Sequence, residues 1–328
     1  MKTMLVLSMG ALLLAGTLSA QTPVPEWQAG VDKVKTLIQS NPAQASEEAG
    51  ELLKGKNKKN VDLVTSVAHV YLDAGKITEA QEYLAMAKKA NNKDPKVSVL
   101  EGDIALAQKN IGQACQLYEQ AIYFDPNCKE AYLKYAQAYK SASPTQAIEK
   151  LEQLKAVDPN CLEADRELAE VYYSGNRFGK AAEMYAKFID TPLATEDDML
   201  KYAFALFLNH DFEKSLQVAQ KGLQKNARHA AFNRLVMYNN TDLKRYEDAE
   251  KAADAFFNAS DRADYSYLDY RYYGALLSAL KKYDKAIIEY GKALDKDNTQ
   301  VDLWREISDA HETVSYTHLR AHETELHL

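Results

Sequence analysis

Several groups of residues in this 328-residue chain have types and spacings that could do chemistry. Near the C-terminus, His318 and His322 stand four apart, and His322 is followed by Glu323. A zinc protease uses H-E-x-x-H, with both histidines on one helical face. Here Leu326 holds the place of the second histidine and His327 comes one residue late, rotated ~100° around a helix. The acidic run Glu196-Asp197-Asp198 could pair carboxylates for acid–base work. It stands where a helix would open, and negative charge there offsets the helix dipole. His69, His210 and His229 lie far apart in the chain; His69 could face a groove, and each reads as a surface histidine. The cysteines are Cys115, Cys128 and Cys161, an odd number without a CxxC, which points to buried or half-buried thiols rather than a redox or metal site. No glycine-rich phosphate loop, nucleophile elbow or catalytic-cysteine pattern is present. The expectation is a protein with no catalytic residue, no cofactor and no metal. Asn239-Asn240-Thr241 matches a glycosylation acceptor, a pattern that arises often by chance.

What remains is recognition. The stretch DYSYLDYRYYGALL, Asp264 to Leu277, holds Tyr265, Tyr267, Tyr270, Tyr272 and Tyr273. They could stack against a sugar or simply pack, and the choice depends on the elements that carry them. Glycine and proline number only 13 and 8, too few turn residues for a β-sandwich of this length. The net charge is −7 with both signs interspersed, which weighs against a nucleic-acid surface, where a positive stripe must displace counterions.

The helices repeat. DPNCKEAYLKYAQAYK from Asp125 and DPNCLEADRELAEVYY from Asp158 stand 33 residues apart and share DPNC, an acidic residue, alanine and an apolar-Ala-x-x-Tyr pattern. A first helix carries Val64, Val67, Ala68 and Tyr71, then Tyr132, Tyr135, Ala136 and Tyr139, then Met199, Tyr202, Ala203 and Leu206. The i, i+3, i+4, i+7 spacing is one helical face. A second helix follows each turn, for example with Ala181, Tyr185 and Phe188, or Ala286, Tyr290 and Ala293. Proline in DPN disfavours helix in the residue before it, and Asp125 and Asp158 can serve local turn hydrogen bonds.

This pattern resembles the tetratricopeptide repeat, a helix-turn-helix unit of roughly 34 residues. The best copy is YRYYGALLSALKKYDKAIIEYGKALDKDN, Tyr270 to Asn298, with Gly274 in the close-packing pair, then Leu277, Tyr283, Ala286, Tyr290 and Ala293. The resemblance covers Glu26 to Glu312, strongest from Val61 to Asn298. It implies an all-α fold, an α-solenoid of stacked repeats forming a right-handed superhelix. One helix pair cannot bury its apolar face alone, so neighbours stack into a continuous core. Cys128 and Cys161 fall at equivalent positions of adjacent units. Helices pack ~8–10 Å apart and a disulfide needs Cα atoms within ~7 Å, so the pair is expected to be unbonded. Asn240 stands where an apolar residue is expected.

On this frame Tyr270 and Tyr273 join Gly274 and Leu277 on the inward stripe. Tyr265 and Tyr267 lie at the helix start, and Tyr272 alone is loose. Positions 2, 5, 9 and 12 of each first helix point away from the core, and the resemblance implies that this side lines a concave groove for peptides. Position 5 gives Thr65, Val99, Leu133, Arg166, Leu200, Arg234 and Arg271 in successive units, and the C-terminal half adds Tyr173, Phe204, Phe207 and Tyr238 at positions 9 and 12. Arginine and aromatic residues dominate binding hot spots. The expected site is therefore Arg166, Tyr173, Phe204, Phe207, Arg234, Tyr238 and Arg271, with a protein or extended peptide partner, an acidic one suiting the arginines. Alanine at Arg234 and Tyr238 is expected to weaken that partner and leave helicity unchanged. The lysine and asparagine that clamp a terminal carboxylate in some groove-type repeats are absent from positions 5 and 9.

The ends complete the expected organisation. Residues 1–20, with Lys2 before an apolar run and Thr17, Ser19 and Ala20 after it, have the layout of a secretory signal peptide. The run is short of the ~20 apolar residues that span a bilayer, so the expectation is an exported protein, periplasmic or secreted, with no stable membrane insertion after cleavage. Residues 21–60 form a degenerate first repeat, 61–300 the repeat array and 301–313 a truncated helix of the next repeat. Val314–Leu328 resembles translated sequencing adapter and is excluded from the fold. The expected function is a non-catalytic interaction scaffold of the bacterial cell envelope. The alternatives are an outer-membrane-associated glycan binder and the N-terminal repeat region of a longer protein with a separate effector domain.

Overall fold

The computed structural model describes residues 24–260 and 264–326. The signal-peptide reading on residues 1–20 lies outside them. The described residues are all-α, without strands. The chain divides into two compact units, one ending at Ala107 and the other beginning at Gln108.

The first unit contains α1 (Gln28–Ser40), α2 (Pro42–Leu52), α3 (Val61–Asp73), α4 (Ile77–Asn91) and α5 (Pro95–Ala107). The segment with the degenerate pattern supplies α2, which Pro42 opens at a position that needs no N–H, and a 3₁₀ turn at Gly55–Lys59. First helices α1, α3 and α5 pack side by side, with α2 and α4 behind them. Val64, Val67, Ala68 and Tyr71 are buried between them. His69 bonds Asp103 at 2.9 Å and Lys96 donates to Asp62 at 2.6 Å, both partners 34 residues away.

The second unit runs through α6 (Ile111–Phe124), α7 (Lys129–Tyr139), α8 (Pro144–Val157), α9 (Leu162–Ser174), α10 (Phe178–Phe188), α11 (Glu196–Leu208) and α12 (Phe212–Lys225). It continues with α13 (Ala230–Asp242), α14 (Tyr246–Asp254), α15 (Tyr267–Ala279), α16 (Tyr283–Lys296) and α17 (Val301–Leu326). Each odd-numbered helix packs on the even-numbered one after it, and α7 on α9, α11 on α13 and α13 on α15 form the first-helix layer. The stripes read from the sequence are buried: Tyr132, Tyr135 and Ala136, with Tyr139 half-buried; Met199, Tyr202, Ala203 and Leu206; Ala181, Tyr185 and Phe188; Ala286, Tyr290 and Ala293. Gly274 is required by packing, because a Cβ there would lie 2.6 Å from the Tyr290 ring. Helix α17 runs unbroken past Thr313 to Leu326, since the tail contains no proline or glycine to stop it. All three cysteines are free thiols.

The turns repeat as faithfully as the helices. Between first and second helices, a left-handed residue recurs at Gly75, Asn176, His210, Lys244 and Lys281. At each, the next N–H reaches five residues back, as from Arg177 to the Tyr172 carbonyl and from Asp211 to the Leu206 carbonyl. This is a Schellman ending, which satisfies the last helical carbonyls. Between second and first helices the usual junction is an Asx turn. The side chains of Asp125, Asp158, Asn226 and Asp297 each accept the N–H two residues on, at 2.9 to 3.2 Å.

Candidate functional site

Two junctions in the second unit depart from the Asx turn. Before α11, Thr195 and Asp198 form a reciprocal capping box, and before α15, Ser266 and Asp269 do the same. The pattern hydroxyl-x-x-Asp satisfies two otherwise orphaned N–H groups at a helix start. Both aspartates stand where the other first helices bury an apolar residue such as Leu63, Ala131, Ala164 or Leu303, and both are buried themselves. A buried carboxylate requires a partner, and the preceding first helix provides it. Arg166 Nε donates to Asp198 Oδ1 at 3.0 Å. Arg234 donates to Asp269 through Nε at 2.7 Å and a terminal nitrogen at 3.2 Å, and to the Asp264 carbonyl at 2.7 Å. Tyr238 Oη adds a bond to Asp269 at 2.8 Å.

These contacts decide the fate of the expected groove. Arg166, Arg234 and Arg271 do not stand free for an acidic ligand: the first two hold buried aspartates, and Arg271 forks onto Glu306 at 2.7 and 3.1 Å. Tyr238 is no groove wall. It is 3 % exposed, stacked on Tyr272 with ring centroids 4.0 Å apart. Burial and the Asp269 charge both raise the pKa of its hydroxyl. Helical period assigns faces to a first helix standing alone, whereas in the stack the next first helix covers its flank. Paired substitution of Arg234 and Tyr238 would therefore open a buried network as well as any surface. Tyr173 and Phe204 are half-buried, Tyr173 edge-on to Phe178 at 5.7 Å. Phe207 is also half-buried and touches both Tyr238, at 5.6 Å, and Tyr272, at 6.3 Å.

Tyr272 is not loose. Besides Tyr238 it holds Asp242, donating its hydroxyl at 2.9 Å. Tyr265, Tyr270 and Tyr273 surround Phe257, which a π-helical turn at Ala255–Ala259 turns toward them; Tyr270 and Tyr273 are half-buried rather than fully inside. The tyrosine run is packing. Asn240, the departure from the repeat pattern, is buried and donates to the Val236 carbonyl at 2.9 Å. Asn239 is fully buried and donates to Ser215 Oγ at 2.8 Å, so the glycosylation pattern is inaccessible in the folded chain.

A cavity of about 340 Å³ opens on the first-helix side of α13, α15 and α17. Thr241, Asp242, Leu268, Arg271, Tyr272, Ala275 and Glu306 line it. Thr241, Leu268, Arg271 and Ala275 occupy positions 12, 2, 5 and 9 of their repeats, the set expected to face away from the core. Of the seven residues expected to form the site, the structure brings Arg271 into this cavity and Phe207 next to its Tyr272 wall; Arg166, Tyr173, Phe204, Arg234 and Tyr238 do not line it. Asp242 and Glu306 were missed because each needs the neighbouring helix to acquire a role. Thr195-x-x-Asp198 and Ser266-x-x-Asp269 were legible as capping patterns. Among the described residues, no group of three His, Cys, Asp or Glu side chains is placed to hold a metal ion, and no helix is long and apolar enough to cross a membrane.

Stacked helix hairpins, Schellman turns and first helices packed side by side within each unit define a helical-repeat protein. Residues 68–128 and 136–193 match the family model of the tetratricopeptide repeat. Those two segments carry tetratricopeptide repeats. Similar solved structures include a tetratricopeptide repeat protein from Parabacteroides merdae ATCC 43184, at 14 % identity and TM-score 0.46, covering 76 % of this chain and 98 % of that one. PilF of Pseudomonas aeruginosa is 15 % identical at TM-score 0.49, covering 63 % and 96 %. YrrB, described as having an unusual peptide-binding site, is 13 % identical at TM-score 0.43, covering 56 % and 95 %. No curated protein matches the chain.

Proposed function

We propose that this protein is a non-catalytic interaction scaffold that binds a protein segment on the first-helix face of α13, α15 and α17. The observation that carries the reading is the cavity of about 340 Å³ walled by repeat positions 2, 5, 9 and 12. Leu268 and Ala275 in its lining suit an apolar side-chain portion, and Thr241, Asp242, Arg271, Tyr272 and Glu306 add polar groups. The walls are locked by cross-helix bonds, Arg271 to Glu306 and Tyr272 to Asp242. A pre-formed site loses little ordering entropy on binding. The layout of residues 1–20 supports export to a bacterial cell envelope as the setting. The arginines that favoured an acidic partner are each matched by a carboxylate, so the acidity of the partner loses its support.

Selection of a displayed random-peptide library tests the reading. Ala275→Trp fills the cavity without removing a packing residue. Peptides enriched on the wild-type protein are expected to lose about tenfold or more in affinity for this variant, with helicity by circular dichroism unchanged. Equal binding to both proteins, or no enrichment, would reject this site.

A further inference from the structure

Several first-helix carboxylates of the second unit are held by cations: Asp165 by Lys155 and Lys187, Glu170 by Lys201, Asp198 by Arg166, Asp269 by Arg234 and Glu306 by Arg271. Glu167 instead accepts the Gln137 amide at 2.7 Å. Asp242 stands apart from both. Among the described residues no lysine or arginine pairs with it, and its hydrogen-bond partner is the neutral Tyr272 hydroxyl. It is also the last residue of α13, where the helix presents its negative end, an unfavourable place for an anion. Solvent reaches the side chain at the cavity rim, yet loss of hydration against the wall outweighs the Tyr272 bond and the nearby His210 ring and raises its pKa. The cavity it borders contains one cation, Arg271, already forked onto Glu306.

From this arrangement we infer that the cavity receives a positively charged group of the bound segment, a lysine or arginine side chain, with its apolar stem on Leu268 and Ala275 and its charge between Asp242 and the Tyr272 ring. The inference rests on the first-helix face being the binding face and adds the charge of what binds there. A carboxylate and an aromatic ring together are the elements that hold an ammonium or guanidinium group. The carboxylate gives a charge-assisted hydrogen bond and the ring quadrupole attracts the cation. The stem of such a side chain is itself apolar and covers hydrophobic surface while its head stays polar. The repulsion expected from Arg271 is cancelled by Glu306.

The test uses the full chain and four short-chain alkyl probes: n-butylammonium, n-butylguanidinium, n-butanol and butyrate. Binding is read from NMR shifts of the Leu268 and Thr241 methyl groups. The two cations are expected to bind at least about fivefold more tightly than butanol, and butyrate more weakly than either. Asp242→Asn keeps an acceptor for the Tyr272 hydroxyl and removes only the charge, so it is expected to erase the preference for cations while leaving butanol binding in place and without lowering the melting temperature. Butanol binding as well as the cations overturns the inference while leaving an apolar peptide cavity intact. Cation binding that survives Asp242→Asn also overturns it. If no probe shifts these methyls while selected peptides still distinguish wild type from Ala275→Trp, the binding face stands and the cation subsite does not.

Discussion

The second unit starts its first helices in two ways, and the contrast between them shows how a repeat acquires individuality. At the Asx junctions, Asp125, Asp158, Asn226 and Asp297 act locally, each accepting an N–H from two residues further on. Asp158 and Asn226 are exposed, Asp125 and Asp297 half-buried, and the side-chain hydrogen bonds of all four stay within the junction. At the box junctions, Asp198 and Asp269 are turned inward and buried. There one carboxylate caps its own helix and also ties the preceding first helix through an arginine 32 or 35 residues earlier. The Asx turn specifies a bend. The box specifies a bend and the register between neighbouring helices.

The largest effect should come from removing the more elaborate buried carboxylate. Asp269→Ala leaves Arg234 and the Tyr238 hydroxyl without their shared acceptor and deletes the cap of α15. Breaking a buried ion pair from one side costs about 3–5 kcal/mol. The urea midpoint is the suitable measure, because guanidinium salt would screen the charges under test. A loss below about 1 kcal/mol, the worth of a simple cap, would show that the inter-helix tie adds nothing. The two boxes can then be set against each other. Arg234 makes three bonds and is 24 % exposed on its side chain, whereas Arg166 makes one and is 34 % exposed. Arg234→Met is expected to cost roughly 2–3 kcal/mol and Arg166→Met about 1 kcal/mol, its charge term being weakened by solvent. Equal losses would mean that the number of bonds does not set the strength of the tie.

Much of this is legible in the sequence. The inward stripes, the close approach at Gly274 and the Asx role of Asp125 and Asp158 follow from helical period and turn chemistry, which are local. The site was less legible. Repeat positions 2, 5, 9 and 12 do converge on one cavity, but side-chain identity misled at particular places. Arginine at position 5 looked like a ligand hook and is a partner for a carboxylate one repeat later. Tyr238 looked exposed and is covered by Tyr272, because burial on the flank of a helix depends on how closely its neighbour packs. Asp242 and Glu306 gained meaning only from residues about 30 and 35 positions away in sequence.

At an Asx junction the expected cost is smaller. Asp125→Ala removes one acceptor for the Asn127 N–H, which water can replace, so about 0.5–1 kcal/mol should be lost. Asp125→Asn keeps the acceptor and should fall within about 0.5 kcal/mol of wild type. The same asparagine change at Asp269 removes the charge that Arg234 requires and should cost several times more. Comparable losses at the two positions would erase the distinction between local and register-setting junctions.

The smallest effect is a matter of protonation, and it separates Asp297 of the last Asx junction from Asp242 by sign. Asp297 accepts the Thr299 hydroxyl, the Gln300 amide and the Thr299 N–H, and these bonds, in that order, hold its pKa below the ordinary aspartate value. All favour the charged form. A depressed folded pKa means that its stabilising contribution is fully present above the unfolded value of about 3.9 and disappears as pH falls through the lower folded value. Asp242 is shifted the other way by desolvation. Its contribution has the opposite sign: the charged form is disfavoured in the folded chain, and protonation relieves that penalty as pH falls through the raised value. Carboxyl-carbon NMR titration of the two residues in the unliganded protein should therefore give midpoints on opposite sides of the ordinary aspartate value. Binding of a cation at the α13–α15–α17 cavity should draw the Asp242 midpoint down while leaving Asp297 where it was. An unmoved Asp242 midpoint under saturating n-butylammonium would place the cation elsewhere.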